Sequence, residues 1–221
     1  MNGVQASPMP RLAVLCSGRG SNLGAVISAI DAGTLDAEIV GVFSDKPACA
    51  ALQRVAPELR WSARPADYAS RGDFEQAMGD AIAAARPDWI VCAGYMRILG
   101  NAFVERFRGR MLNVHPSLLP RHRGLDTHRH ALEAGDREHG ASIHFVIPEL
   151  DAGAVVAQVA IAVLPGDTPQ SLATRVLAQE HQLLPEVLRW AVAGRLHERD
   201  STAVLDGHTL FTPRQLEFAE S

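Results

Sequence analysis

Only three cysteines stand among 221 residues, and no apolar run approaches the roughly 18–20 residues needed to cross a bilayer. Cys16, Cys49 and Cys92 cannot all pair and form no C-x-x-C unit, so a disulfide scaffold, a redox dithiol motif and a structural zinc site have little to build on. Cys16 and Cys92 lie instead in apolar runs, where free thiols pack. A basic excess is also missing: 21 Lys+Arg face 25 Asp+Glu, a formal net charge of −4. With that balance there is no basic face to neutralise a phosphodiester backbone, which argues against a nucleic-acid partner and leaves small anionic ligands open. The first ten residues carry neither a basic start nor an apolar stretch, so the chain reads as cytoplasmic, with no membrane partner. What is present is 47% hydrophobic and 21% charged residues. That composition excludes disorder and coiled coil as the main architecture and supports a sizeable core without staples. The length suits a single domain over 1–221, with a polar leader at 1–10.

Along the chain, Leu12–Cys16 reads as a buried strand closed by the turn chemistry of Ser17-Gly-Arg-Gly-Ser21. A helix follows, with Asn22 expected as N-cap, Leu23, Val26, Ile27 and Ile30 on one face, and Gly33 as its stop. Further strands are expected over Ala37–Phe43, Trp89–Ala93 and Met111–His115, with helices over Ala48–Val55, Ala102–Phe107 and Phe74–Ala85. Downstream, Ala141–Val146 and Ala154–Val163 read as strands and Thr168–Ala193 as a long helix. In the tail, 195–221, Asp206-Gly207 suits a tight hairpin turn. Strand alternating with helix implies an α/β fold, a mostly parallel twisted sheet with helices on both faces, and ligands beyond the strand C-termini.

Chemistry concentrates at a few places. The loop Ser17-Gly18-Arg19-Gly20-Ser21-Asn22 offers backbone N–H groups and a helix dipole to an anion. Leu23 stands where a dinucleotide fingerprint needs its third glycine, so a phosphate monoester is favoured over a diphosphate; Asp45, beyond the second strand, keeps a dinucleotide-type ribose acid open. Strand periodicity puts Asn113 and His115 on one face, at the sheet edge where the glycine loop emerges. An amide donor beside an imidazole suits acyl chemistry: one stabilises an oxyanion, the other moves a proton. His144 either points to the same cleft or caps a layer. A carboxylate at Asp151 near His115 is expected to raise the pKa of the imidazole. Glu180 falls within the apolar stripe of the long helix, so it reaches a ligand, pairs with a cation such as Arg175, or snorkels outward. His122, His128, His130 and His139, interleaved with arginines, read as a mobile basic loop rather than a metal site.

These segments together resemble a known family. Ser17-Gly-x-Gly-Ser-Asn22, Ala93-Gly-Tyr-Met-Arg-Ile-Leu99, Asn113-Val-His-Pro-Ser-Leu-Leu-Pro120, Ser142-Ile-His-Phe-Val146 and Glu149-Leu-Asp-x-Gly153 are similar, in order and spacing, to the folate-dependent glycinamide ribonucleotide formyltransferases of purine synthesis. The similarity runs from about Leu12 through the tail and implies a Rossmann-like formyltransferase fold. It implies that Gly20, Ser21 and Asn22 hold a substrate phosphate and that Glu180 contacts ribose. It further implies that Met96, Arg97, Ile98, Leu99 and the segment Ile147, Pro148, Glu149, Leu150, Asp151 wrap the pterin of 10-formyltetrahydrofolate, with Arg71 near its glutamate tail. Asn113, His115 and Asp151 match the catalytic trio, and His144 a supporting histidine. Departures fall at Arg123, at Asp126 where relatives carry histidine, at Asp45, and at Ala152 and Ala154; none lies on the trio or the glycine loop.

The resemblance implies formyl transfer from 10-formyltetrahydrofolate to the glycinamide amine, without a metal, as a monomer or homodimer on small-molecule substrates. A formyltetrahydrofolate hydrolase or a tRNA formyltransferase is expected to need a further domain for which this chain has no room. From another class, the alternative is a non-catalytic nucleotide- or NAD-binding α/β module resting on the glycine loop and Asp45.

Overall fold

The computed structural model of the chain describes residues 8–218, so most of the polar leader lies outside the described residues. The chain alternates β1 (Arg11–Leu15), α1 (Ser21–Asp31), β2 (Glu38–Ser44), β3 (Arg60–Ser62), α2 (Arg71–Ala84), β4 (Trp89–Cys92), α3 (Asn101–Arg106) and β5 (Met111–His115). It continues through α4 (Thr127–Glu133), β6 (Glu138–Phe145), β7 (Val155–Ala162) and α5 (Pro169–Val192). Four short strands follow: β8 (Leu196–Arg199), β9 (Thr202–Leu205), β10 (His208–Thr209) and β11 (Arg214–Leu216).

Eight strands form one sheet in the order β11-β7-β6-β5-β4-β1-β2-β3. Pairings from β3 across to β5 are parallel, whereas β6 runs antiparallel to both β5 and β7. The loop after β6 returns the chain directly to β7 without a crossover helix, so that pair is antiparallel. Strand periodicity builds two cores. Leu12 and Val14 of β1 pack with Leu23 and Val26 of α1 and the apolar stripe of α5. Ala13 and Leu15 meet Phe74 and Met78 of α2 and Phe103 of α3 on the opposite face. The chain leaves β1 toward β2 and β3, then returns to β4 on β1's other side, which makes the C-terminal ends of β1 and β4 the topological switch point.

Several expectations need correction. Residues 50–54 form a 3₁₀ turn rather than a helix over Ala48–Val55. The short β3 and α4 were not anticipated; of the four histidines expected on a mobile basic loop, His128 and His130 lie on α4, His139 on β6, and only His122 on a loop. Gly20, not Asn22, is the N-cap of α1. In the tail, Asp206 and Gly207 both have positive φ, 54° and 79°, and turn β9 into β10. This small β10-β9-β8 sheet is separate from the main one.

Candidate active site

The glycine loop hangs from the end of β1. Gly20 has φ +71°, and a Cβ there would lie 2.5 Å from the Ala51 Cβ, so the close pack of loop on 3₁₀ turn requires glycine. The first intrahelical bond of α1 runs from Gly24 N to Gly20 O, leaving the N–H groups of Ser21, Asn22 and Leu23 free of helical partners, as at any helix start. The Asn22 side chain does not cap; its amide Nδ2 donates to Glu180 Oε2 at 2.7 Å. Glu180 is buried, and burial pushes its carboxyl up to about 6 against the lowering effect of the Asn22 bond. It therefore neither snorkels nor pairs with Arg175, whose guanidinium bonds Asp167 and the Ala162 carbonyl. Asn22 Oδ1 and Gln179 Oε1, like His181 Nε2 and Glu198 Oε2, are buried without a hydrogen-bond partner among the described residues. Buried polar atoms of this kind are otherwise paired in folded proteins.

Asp45 is not disposed toward a ribose. It is buried, and Ser17 Oγ donates to its Oδ1 at 2.6 Å while accepting from the Met96 N–H at 3.0 Å. The same serine thus ties the glycine loop to the 94–99 loop at the end of β4.

On β5, Asn113 and His115 share the face of Met111, and Asn113 stands opposite His144 on β6. His144 Nδ1 lies 2.8 Å from the Phe145 carbonyl, which can only accept, so that nitrogen carries the proton. Its Nε2 lone pair then accepts from Asn113 Nδ2 at 3.0 Å, leaving one N–H of the Asn113 amide over. By the same reasoning His115 Nε2–H donates to the His122 carbonyl at 3.0 Å. The other ring nitrogen, Nδ1, faces Asp151 Oδ2 at 3.4 Å. Asp151 has φ +47° and accepts from the Gly124 N–H at 2.9 Å; its Oδ1 approaches His144 Nε2 at 3.6 Å. Two residues on, Gly153 lies so close to the strand that a Cβ would fall 1.8 Å from the Phe145 carbonyl oxygen, and that approach folds the carboxylate back over the strand ends. His115, His144 and Asp151 therefore form one cluster against Asn113.

The electrostatics correct one expectation. Burial dominates at His115, which is 4% exposed. It lowers the imidazole pKa despite the raising effects of the His122 carbonyl and Asp151, and nearby His144 lowers it further. The ring is neutral at neutral pH, with a lone pair on Nδ1. Burial alone would raise Asp151, but the Gly124 N–H it accepts from favours the charged carboxylate and helps hold it below the ordinary range.

Beside this cluster opens a cleft of about 520 Å³, solvent included, whose walls take in Arg97, Ile98, Leu99, Ile147, Pro148 and Leu150 and whose polar end is Asn113, His144 and Asp151. Cys92, Tyr95, Val104 and Val146 also line it. Sequence reasoning missed these four because three are plain apolar positions and Tyr95, although inside the Ala93–Leu99 motif, carried no separate signal. Met96 and Glu149 stand outside the wall: Met96 is 62% exposed, and Glu149 pairs with Arg123 at 3.2 Å. Arg71 supports the rim, bonding Glu75 at 2.7 Å and the Ile98 carbonyl. Asp126 is the N-cap of α4 and pairs with Arg129 at 2.9 Å. All three cysteines are free and buried. No group of three or more His, Cys, Asp or Glu among the described residues is arranged to hold a metal ion, and no described helix is long and apolar enough to cross a membrane.

Comparison with known proteins bears on this arrangement. The formyl transferase family profile matches residues 10–188. The chain belongs to the formyl transferase family. Within that family it is 42% identical over 201 residues to the phosphoribosylglycinamide formyltransferase of Escherichia coli, covering 90% of this chain and 95% of that protein. The Haemophilus influenzae enzyme of the same name is 40% identical over 206 residues, covering 91% and 96%. Among solved structures, the Coxiella burnetii phosphoribosylglycinamide formyltransferase superposes with a TM-score of 0.89 at 42% identity, covering 95% of this chain and all of the other. The α/β architecture is thus that of the formyl transferase family.

Proposed function

We propose that this chain transfers the formyl group of 10-formyltetrahydrofolate to the amine of glycinamide ribonucleotide, in purine biosynthesis and in the cytoplasm. The relatives' names support the reaction class. The observation that carries the chemistry is the Asp151 carboxylate, at the polar end of the cleft, 3.4 Å from His115 Nδ1. In the reaction the amine nitrogen bonds to the formyl carbon and the bond from that carbon to the folate nitrogen breaks. The amine loses one proton and the folate nitrogen gains one. His115 Nδ1 accepts the amine proton, the neighbouring Asp151 stabilises the imidazolium, and the ring returns the proton to the leaving nitrogen, worth about 10²–10⁴-fold in rate. The N–H of Asn113 not taken by His144 donates to the developing oxyanion, worth about 10²–10³-fold.

At the other end of the site, the first turn of α1 with Gly20, Ser21 and Asn22 receives the phosphate. Glu180 meets the ribose, whose hydroxyls can also donate to the orphaned Asn22 oxygen. The pterin lies against Ile98, Leu99, Ile147, Pro148, Leu150 and Asp151, with Arg71 holding the rim on the side of the glutamate tail. This assigns no metal and no covalent enzyme intermediate.

The test follows tetrahydrofolate formation by absorbance with and without the ribonucleotide. Product that requires the ribonucleotide supports transfer. Equal product without it identifies a hydrolase, and saturable NAD(H) binding with no ribonucleotide binding identifies a nucleotide-binding module.

A further inference from the structure

We infer that Asp136 and the His122 side chain are positioning residues for His115: they hold the backbone so that the His122 carbonyl dictates which ring nitrogen carries the proton. This rests on the proposed role of His115 in proton transfer. His115 serves as a base at Nδ1 only if its neutral proton resides on Nε2, and the one group enforcing that tautomer is the His122 carbonyl, 3.0 Å away.

That carbonyl is aimed by a backbone in the left-handed region, φ +51° at His122. Residues with a Cβ stay there only where their surroundings over-determine it. The constraint comes from Asp136, whose side chain is 4% exposed. Its Oδ2 takes His122 Nε2 at 2.8 Å and its Oδ1 takes the Arg121 guanidinium. Upstream, Ser117 Oγ donates to the Arg121 carbonyl at 2.7 Å, so the turn is tied at both ends. Asp136 itself is fixed by its N–H to the Ala131 carbonyl, 3.0 Å away at the end of α4. Burial would raise its carboxyl, yet the bond to His122 and the charge of Arg121 keep it ionised well into the acid range.

Other ionisable groups near His115 do not substitute for this anchor. Asp151 faces Nδ1, and the His144 ring lies 6.4 Å off. On the loop side, His128 and His139 stack edge-on at 5.1 Å; burial lowers both, His139 to about 4. They are neutral at neutral pH and offer His115 no charge. An Asp136–Arg121 pair alone would tether the turn. The His122–Asp136 bond adds control of the peptide plane that His115 uses.

The experiment uses the whole protein, wild type and the variants Asp136→Asn and His122→Phe. The second keeps ring volume, the carbonyl and the Asp136–Arg121 pair, and so carries the test if the first does not fold. The readouts are the His115 tautomer by ¹⁵N NMR and the pH dependence of ribonucleotide-dependent formyl transfer. Wild type is expected to show His115 as the Nε2–H tautomer alone, and each variant a mixture. In the variants kcat should fall about 10- to 100-fold, while KM for either substrate stays within about threefold. The acid limb of the kcat profile should move to lower pH, because the carbonyl bond that favours the protonated ring is lost. A pure Nε2–H tautomer in both variants, or an unmoved acid limb with activity following only the folded fraction, overturns the inference. If wild type transfers no formyl group to the ribonucleotide, the functional reading fails instead, and the tautomer measurement still decides this one.

Discussion

At the residue scale the proposed trio of Asn113, His115 and Asp151 is open to test by single substitutions. His115→Ala should lower kcat by about 10²–10⁴-fold and Asn113→Ala by about 10²–10³-fold, each with a near-native circular dichroism spectrum; wild-type turnover in either variant would sink its assignment. Because burial lowers the His115 pKa, the proposed base is in its neutral form at neutral pH. Activity should decline only as pH falls below the ordinary histidine value, and His115 should withdraw stability over that same window. Glu180 has the opposite sign: its carboxyl is raised from 4.5 to about 6, so its contribution holds below 4.5 and is lost as pH rises through 6. Glu180→Gln should therefore stabilise the free protein by roughly 1–2 kcal/mol at pH 7.5, with little effect near pH 4. It should also raise the ribonucleotide KM; urea titrations showing a pH-independent difference would contradict the stability claim. The strand-period argument made Asn113 and His115 legible in the sequence, but two facts at this scale were not. Asn22 and Glu180 are 158 residues apart, and nothing in local pattern announces their bond. The direction of the His115 shift depends on how burial weighs against Asp151, which only three-dimensional packing sets.

Elements show a similar division. Buried strands and the long α5 were readable because apolar period and turn chemistry agree, and α5 opens with Thr168 accepting from the Ser171 N–H as a reciprocal cap. By contrast, β3 is three residues long, too short to display a period. The seven-residue α4 buries only Thr127 and Ala131, so its histidines and arginines masked it as a loop. At α1 the glycine already supplied the left-handed cap, displacing Asn22 into the helix, where its side chain could reach α5. Gly20→Ala tests the loop as an element: positive φ and contact with Ala51 should together cost about 1–3 kcal/mol. The ribonucleotide KM should rise more than kcat falls. Unchanged thermal stability and KM would show that the loop tolerates a side chain.

For the whole molecule, the sheet's two borders are finished differently. β3 closes one, while β11 runs parallel to β7, with Arg214 opposite Ala157 and Leu216 opposite Val159, and covers the other. Deleting residues 213–221 should uncover the backbone of β7 and promote self-association, seen as concentration-dependent elution in size-exclusion chromatography; a monodisperse, unshifted peak would contradict this. A last consequence follows from the order β5-β4-β1. The glycine loop proposed to take the phosphate and the imidazole hang from strands two ladder spacings apart, roughly 10 Å, locked by backbone hydrogen bonds rather than by a hinge. The enzyme is thereby a fixed gauge. A nucleotide with one extra methylene between phosphate and amine would still dock by its phosphate, yet carry its nucleophile past the formyl carbon, becoming a competitive inhibitor in place of a substrate.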